Sequence, residues 1–189
     1  MNVTFIGTGE AVDGERNNTS LLINHDTLLD CGYTVPRPLI GDNRLEQLDR
    51  LWISHFHGDH FAGTATLMLG LGDAGRKDSF EIIGPPGLEQ VIASNLKLHY
   101  DADIHALAFP VVFIEVTENS ELRMGKQTWT FCATRHKAPC MAIRIDDDAS
   151  GKSLVYTADT EPFEQLAIFS SDTDLLVHEC YLATEDRRG

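Results

Sequence analysis

Ser54-His55-Phe56-His57-Gly58-Asp59-His60 is the stretch that decides how the rest of this sequence is read. Four candidate metal ligands fall within six positions, spaced H-x-H-x-D-H. The apolar run Leu51-Trp52-Ile53 just before them reads as a strand. Alternate residues of an extended chain point the same way, so His55 and His57 can grip one ion. Asp59 and His60 follow the turn and can face a second. Imidazole nitrogen suits zinc and its neighbours, while carboxylate is a harder ligand. A solvated loop has no structural need for this density of histidine.

The composition suits that chemistry. A chain of 189 residues with 42% hydrophobic residues is expected to form a single domain, 1–189, with a sizeable core. No apolar run approaches the length of a transmembrane helix, and the first residues, Met1 to Gly7, read as a strand rather than a signal peptide. The expectation is a cytoplasmic protein with no membrane partner. Cys31, Cys132, Cys140 and Cys180 are scattered, which excludes a C-x-x-C zinc ribbon and predicts free thiols. The formal charge of −14 repels polyanions at long range, and no dense Lys/Arg run offsets it.

Along the chain, strands are predicted at Val3–Ile6, Thr19–Ile23, Thr27–Asp30, Leu51–Ile53 and Phe80–Ile83. Helices are predicted over Leu39–Leu48, Phe61–Leu69 and Leu88 to about Leu98, the last after Gly84-Pro85-Pro86-Gly87. The second half is strand-rich: Val111–Val116, Thr128–Ala133, Met141–Ile145, Leu154–Tyr156 and a buried final strand Asp174–Val177, with a helix over Glu161–Phe169. Hairpin turns are expected at Met124-Gly125-Lys126 and at Asp146–Gly151. No linker or low-complexity segment interrupts the pattern, which is that of an α/β domain.

More ligands are needed than one loop provides. His136, Asp159 and His178 each sit just past a predicted strand, where side chains from different strands can converge. Asp30 ends the third strand and has two readings: a carboxylate that orients a site histidine from behind, or a turn-former before Gly32. His25, His99 and His105 lack such a context.

With these residues in place, the sequence resembles the metallo-β-lactamase superfamily, in its ribonuclease Z and phosphodiesterase branch. The resemblance spans nearly the whole chain: Phe5-Ile6-Gly7-Thr8-Gly9, Arg16-Asn17-Asn18-Thr19-Ser20, Leu28-Leu29-Asp30-Cys31-Gly32, the H-x-H-x-D-H loop, Gly84-Pro85-Pro86-Gly87-Leu88, His136, Tyr156-Thr157-Ala158-Asp159-Thr160 and Leu175-Leu176-Val177-His178-Glu179. It implies a four-layer αββα sandwich with the site along one edge of two sheets. It also implies that His55, His57 and His136 hold one ion, that Asp59 and His60 serve a second, and that Asp159 bridges both. Zinc is the implied metal; the two carboxylates keep manganese and iron open. A homodimer is implied as well.

The chain departs from that family pattern in three places. Only 11 residues follow His178 and none is histidine, so the second metal position is expected one protein ligand short, as in a C-terminally shortened chain. Just 22 residues separate His136 from Asp159, and no interval holds a long basic arm for tRNA. Tyr33-Thr34-Val35-Pro36 replaces the usual acidic and polar run after Asp-Cys-Gly. The implied chemistry is hydrolysis of a phosphodiester, small or RNA. Asp59 would orient the nucleophile, and His178, backed by Glu179, would protonate the leaving oxygen. Two other readings stand beside it: a hydrolase of the same fold acting on a thioester, lactone or sulfate ester, and a shortened metal-binding domain without turnover.

Overall fold

Parallel pairing in the middle of the first sheet brings the metal-type residues to one edge. The computed structural model describes residues 1–42 and 44–180. Two compact units divide the chain, Met1–Thr117 and a second that begins at Glu118. The first holds a six-stranded sheet in the order β1 (Val3–Gly7), β2 (Ser20–Ile23), β3 (Thr27–Leu29), β4 (Arg50–Trp52), β5 (Phe80–Gly84) and β6 (Val111–Glu115). The first three strands are antiparallel neighbours; β3–β4, β4–β5 and β5–β6 are parallel. β2 and β3 are buried along their whole length. Strands covered on both faces read as unbroken apolar runs rather than alternations, as these do.

Four helices belong to this unit: α1 (Pro36–Gly41), α2 (Gly58–Phe61), α3 (Thr64–Asp73) and α4 (Leu88–Tyr100). Leu39, Met68, Leu71 and Ile92 from three of them join Leu28, Leu51 and Ile82 from the sheet in one apolar core. The single helix expected over Leu39–Leu48 is instead α1 and a 3-10 turn, Leu45–Gln47. Pro36 and Pro38 suit a helix's first turn and start it early. Leu39, Leu45 and Leu48 then reach the core from two short elements rather than from one helical face. The helix expected over Phe61–Leu69 is likewise split into α2 and α3. Between them Gly63 packs so closely on the chain that a Cβ there would lie 2.1 Å from the Gly32 carbonyl oxygen. α4 starts where the Gly-Pro-Pro-Gly turn predicts, with Gly87 at φ 87° and the Glu115 carboxylate accepting from the Gly87 and Leu88 amides at 2.8 and 3.2 Å.

The second unit carries β7 (Glu121–Met124), β8 (Gln127–Ala133), β9 (Met141–Asp147), β10 (Lys152–Tyr156), α5 (Glu164–Phe169) and β11 (Leu175–Val177). Its five strands lie in the order β11-β10-β9-β8-β7, antiparallel except for the parallel pair β10–β11. β7 pairs with β8 across the expected turn, where Gly125 adopts φ 62°. α5 begins at Glu164 rather than Glu161, because the residue before Pro162 is disfavoured in helical conformation. The final strand also differs from expectation. As the sheet's edge strand, β11 leaves Leu175 37% and Leu176 46% exposed.

In β8 the inward positions alternate as Gln127, Trp129 and Phe131. Trp129 is fully buried, and its indole N–H donates to the Gln127 side-chain oxygen at 3.1 Å. Trp129→Ala is expected to cost about 3–5 kcal/mol, and Trp129→Phe clearly less, measured as the shift in urea midpoint at constant slope.

Candidate metal centre

Because β3 and β4 run parallel with Leu29 opposite Trp52, the residues that leave both strands meet at one edge. Asp30 leaves β3, and its amide bonds the Trp52 carbonyl at 2.8 Å. Its backbone then turns into the left-handed region at φ 58°, which Asp tolerates better than most residues. That turn aims the carboxylate at the segment leaving β4. Oδ1 accepts the Ser54 amide at 2.8 Å, while Oδ2 accepts the Ser54 hydroxyl at 2.9 Å and meets His60 Nδ1 at 2.7 Å. The carboxylate is wholly buried. Of the two readings of Asp30, the orienting one is what this geometry matches.

His55 lies fully buried beside Ser54, with its Nδ1 2.9 Å from the Ser54 hydroxyl. Its ring centroid is 4.6 Å from that of His57 and 4.3 Å from that of His60. The candidate ligand atoms of His55 and His57 lie within 4.8 Å of each other. The chain turns immediately after: the His57 carbonyl accepts the His60 and Phe61 amides at 2.9 and 3.2 Å, opening α2. Asp59 in its first turn then comes to 3.6 Å from His60 Nε2. Three imidazoles and one carboxylate thus crowd a single loop, with the Nδ1 atoms of His55 and His60 turned towards Ser54 and Asp30. This makes Nε2 the candidate ligand nitrogen of each ring. Such a nitrogen-rich set with one carboxylate fits zinc and tolerates manganese or iron.

The loop can lie this close only because of a missing side chain. A Cβ on Gly32 would sit 2.1 Å from the Asp59 carbonyl oxygen and 2.6 Å from Asn18 Cβ. Asn18 is itself buried, its side-chain oxygen accepting the Thr34 amide at 3.1 Å and the Thr34 hydroxyl at 2.9 Å. Thr34, in the stretch that departs from the family's usual acidic run, is therefore a strut of the turn that carries Gly32.

In the second unit, β8 and β10 flank β9 antiparallel and so run in the same direction, and β11 is parallel to β10. All three strands therefore exit at the same edge of this sheet, which is where His136, Asp159 and His178 stand. His136 Nε2 lies 3.8 Å from Asp159 Oδ2. The exits are tied by two threonines, Thr134 and Thr160, to which the sequence assigns no role. The Thr134 hydroxyl donates to the Asp159 carbonyl at 2.9 Å, and the Arg135 amide donates to the Thr160 hydroxyl at 3.1 Å. The Thr160 amide donates to the Glu179 carboxylate. Partial burial pushes the Glu179 carboxyl above its ordinary value, against the Thr160 N–H, which pulls it down; the Asp159 charge adds to the rise. His178 is exposed, and its Nδ1 meets the Glu179 backbone carbonyl at 2.7 Å. The structure thus sets the Glu179 carboxylate on the Thr160 amide, and sets the His178 ring on the Glu179 backbone.

Gly32→Ala should destabilise the protein by about 2–3 kcal/mol, since the added methyl meets backbone. Gly58→Ala, inside the motif but with only the Ala62 side chain 3.9 Å from its added Cβ, should leave stability unchanged or raise it by about 0.5 kcal/mol. Paired denaturation curves of the two variants check this contrast.

Comparison with known proteins agrees with the fold. Residues 1–188 match the family described as anti-Pycsar protein Apyc1. A ribonuclease Z of Prochlorococcus marinus (strain MIT 9301) is 27% identical over 98% of this chain and 78% of its own. Among solved structures, the metallo-β-lactamase fold protein YhfI from Bacillus subtilis is 29% identical with TM-score 0.75, over 94% of this chain and 70% of that one. Human tRNase Z, short form, superposes with TM-score 0.80 at 23% identity over 96% and 79% of the two chains, a likeness of fold. The chain belongs to the anti-Pycsar protein Apyc1 family, within the ribonuclease Z-like branch of the metallo-β-lactamase superfamily of hydrolases.

Proposed function

We propose that this protein is a metal-dependent phosphodiesterase acting on small phosphodiesters. The observation that carries the proposal is the loop itself: Nε2 of His55 and of His60, with His57 and Asp59, gathered at the exit of a buried parallel strand. His55 and His57 would hold one ion and Asp59 and His60 a second. By the family's pattern, His136 would join the first set and Asp159 would serve both. Zinc is the favoured ion.

When bound, such cations supply Lewis acidity and lower the pKa of water near neutrality. The chain's own groups do the rest. Asp59, half-buried in the first turn of α2, orients the nucleophile. His178 protonates the leaving oxygen. A backbone carbonyl can only accept, so the contact to Glu179 puts a proton on His178 Nδ1. Nε2–H is then the donating group of the imidazolium. A poor alkoxide leaving group needs that proton, which favours a phosphodiester over a strained lactam.

The substrate size follows from charge. At −14, the protein repels a polyanion through each of its phosphates, whereas a small diester carries a single charge to the site. The ribonuclease Z reading is retained for the chemistry and not for a tRNA-sized substrate.

Turnover of bis-(p-nitrophenyl) phosphate with added zinc or manganese is the direct test. Chelation should abolish it and metal restore it. His57→Ala should lose more than the ~10–100-fold typical of removing an outer-shell partner, with its circular dichroism retained. An unchanged rate in that variant overturns the assignment. Thioester, lactone and sulfate ester substrates run in parallel decide between the hydrolase classes.

A further inference from the structure

We propose that Ser54 and Asp30 form one positioning unit that sets the ligand nitrogen of two histidines, His55 and His60, which serve different metal positions. The inference deepens the reading above and rests on its assignment of both rings as ligands.

The argument is a count of protons. The Ser54 hydroxyl has one, and it is donated to Asp30 Oδ2 at 2.9 Å. The same hydroxyl oxygen lies 2.9 Å from His55 Nδ1 and, its proton spent, can only accept there. The neutral His55 ring must therefore carry its proton on Nδ1. His60 Nδ1, 2.7 Å from the same carboxylate oxygen, must do likewise, since a carboxylate only accepts. Both rings are held as the Nδ1–H tautomer, the minor form of histidine free in water. In both, Nε2 keeps its lone pair. His60 meets the carboxylate directly; His55 meets it through Ser54.

The arrangement is built rather than incidental. Asp30, Ser54 and His55 are fully buried and His60 is 3% exposed, so no bulk water competes for these bonds. The Ser54 amide, donating to Asp30 Oδ1 at 2.8 Å, fixes the residue that carries the relay. Imidazole ligands depend on a partner at the other ring nitrogen for tautomer and aim, and one buried carboxylate supplies it here for both half-sites.

Long-range 15N–1H correlation spectra of the labelled full-length chain read the tautomers directly, before and after zinc is added. In the unsubstituted protein both His55 and His60 should show Nδ1–H. In Ser54→Ala, His55 should move towards Nε2–H while His60, still on Asp30, stays put. Zinc affinity of that variant should fall about 10–100-fold. An Nε2–H signal for His55 in the unsubstituted protein overturns the proposal, and so does an unchanged His55 tautomer in the variant. The first of these needs no variant, so a misfolded Ser54→Ala leaves the test intact. Absence of phosphodiesterase turnover would sink the functional reading without moving either spectrum.

Discussion

A carboxylate with no exposed surface governs the first unit. Asp30 stands in left-handed backbone, which costs a non-glycine residue about 1–2 kcal/mol. Against this, it accepts three hydrogen bonds from Ser54 and His60, and bonds to charged groups are worth about 1.5–3 kcal/mol each. The bonds win, and the strained turn persists. Its effect is geometric: the turn sends the chain from β3 into Cys31 and Gly32, whose neighbours are the backbone of His60 and Asp59. The Cys31 amide bonds the His60 carbonyl at 2.6 Å, and the Gly63 amide bonds the Cys31 carbonyl at 2.9 Å. The metal-type loop is thereby laced to the strand beside it at both ends. Cys31 takes no chemical part, since burial pushes its thiol far above the ordinary range.

Much of this was legible in sequence, for a physical reason. A polar residue directly after an apolar run marks the exit of a buried strand, so His55, Asp30, His136, Asp159 and His178 could each be placed at a strand end without knowing the sheet order. What could not be read was direction. That β8, β10 and β11 leave at the same edge depends on β9 pairing between β8 and β10, a long-range fact. Close approach was equally hidden: Gly32 and Gly63 look like ordinary turn glycines until their absent Cβ atoms are seen against backbone. Ser54 and Thr160 stand inside quoted motifs but take no role there, because a hydroxyl residue carries no periodic or spacing signal of its own. The helix over Leu39–Leu48 failed because apolar spacing alone does not register two prolines in a first turn.

The acidity of the chain separates scaffold from site. Several of its acids are engaged locally: Glu81 with Arg50, Asp146 with Arg144, Asp174 with Lys152 and the Ser153 amide. The Lys152 ammonium holds the Asp174 carboxyl below its ordinary range. The exposed Lys152–Asp174 pair contributes little to stability, and all these pairs still leave the net charge at −14. With a screening length near ~8 Å in physiological salt, that charge acts on whatever part of a ligand spreads over the surface. A long polyanion meets it along its length; on the proposed reading a small diester would meet chiefly the loop, where bound cations would reverse the sign. On that reading, the same acidity that opposes a tRNA would act far less on a small substrate.

Each unit uses a hydroxyl residue next to a carboxylate to tie its strand exits, at different depths. In the first, Ser54 links a buried carboxylate to a histidine. In the second, Thr160, 4% exposed, does the linking. Its hydroxyl accepts the Arg135 amide and donates to the Glu161 carbonyl at 2.8 Å, and its amide donates to the Glu179 carboxylate. One residue, through its hydroxyl and its backbone amide, thus joins the segments that leave β8, β10 and β11. The hydroxyl groups are what both places require: small enough to bury, and able to accept and donate at once. The difference lies in what they support. The side chains of Asp30 and His60 are at most 4% exposed, whereas those of His136 and Asp159 are 19% and 28% exposed. Water competes for the second pair and not for the first. In the loop after β4, the Nδ1 atoms of His55 and His60 are therefore held by bonds that solvent does not reach.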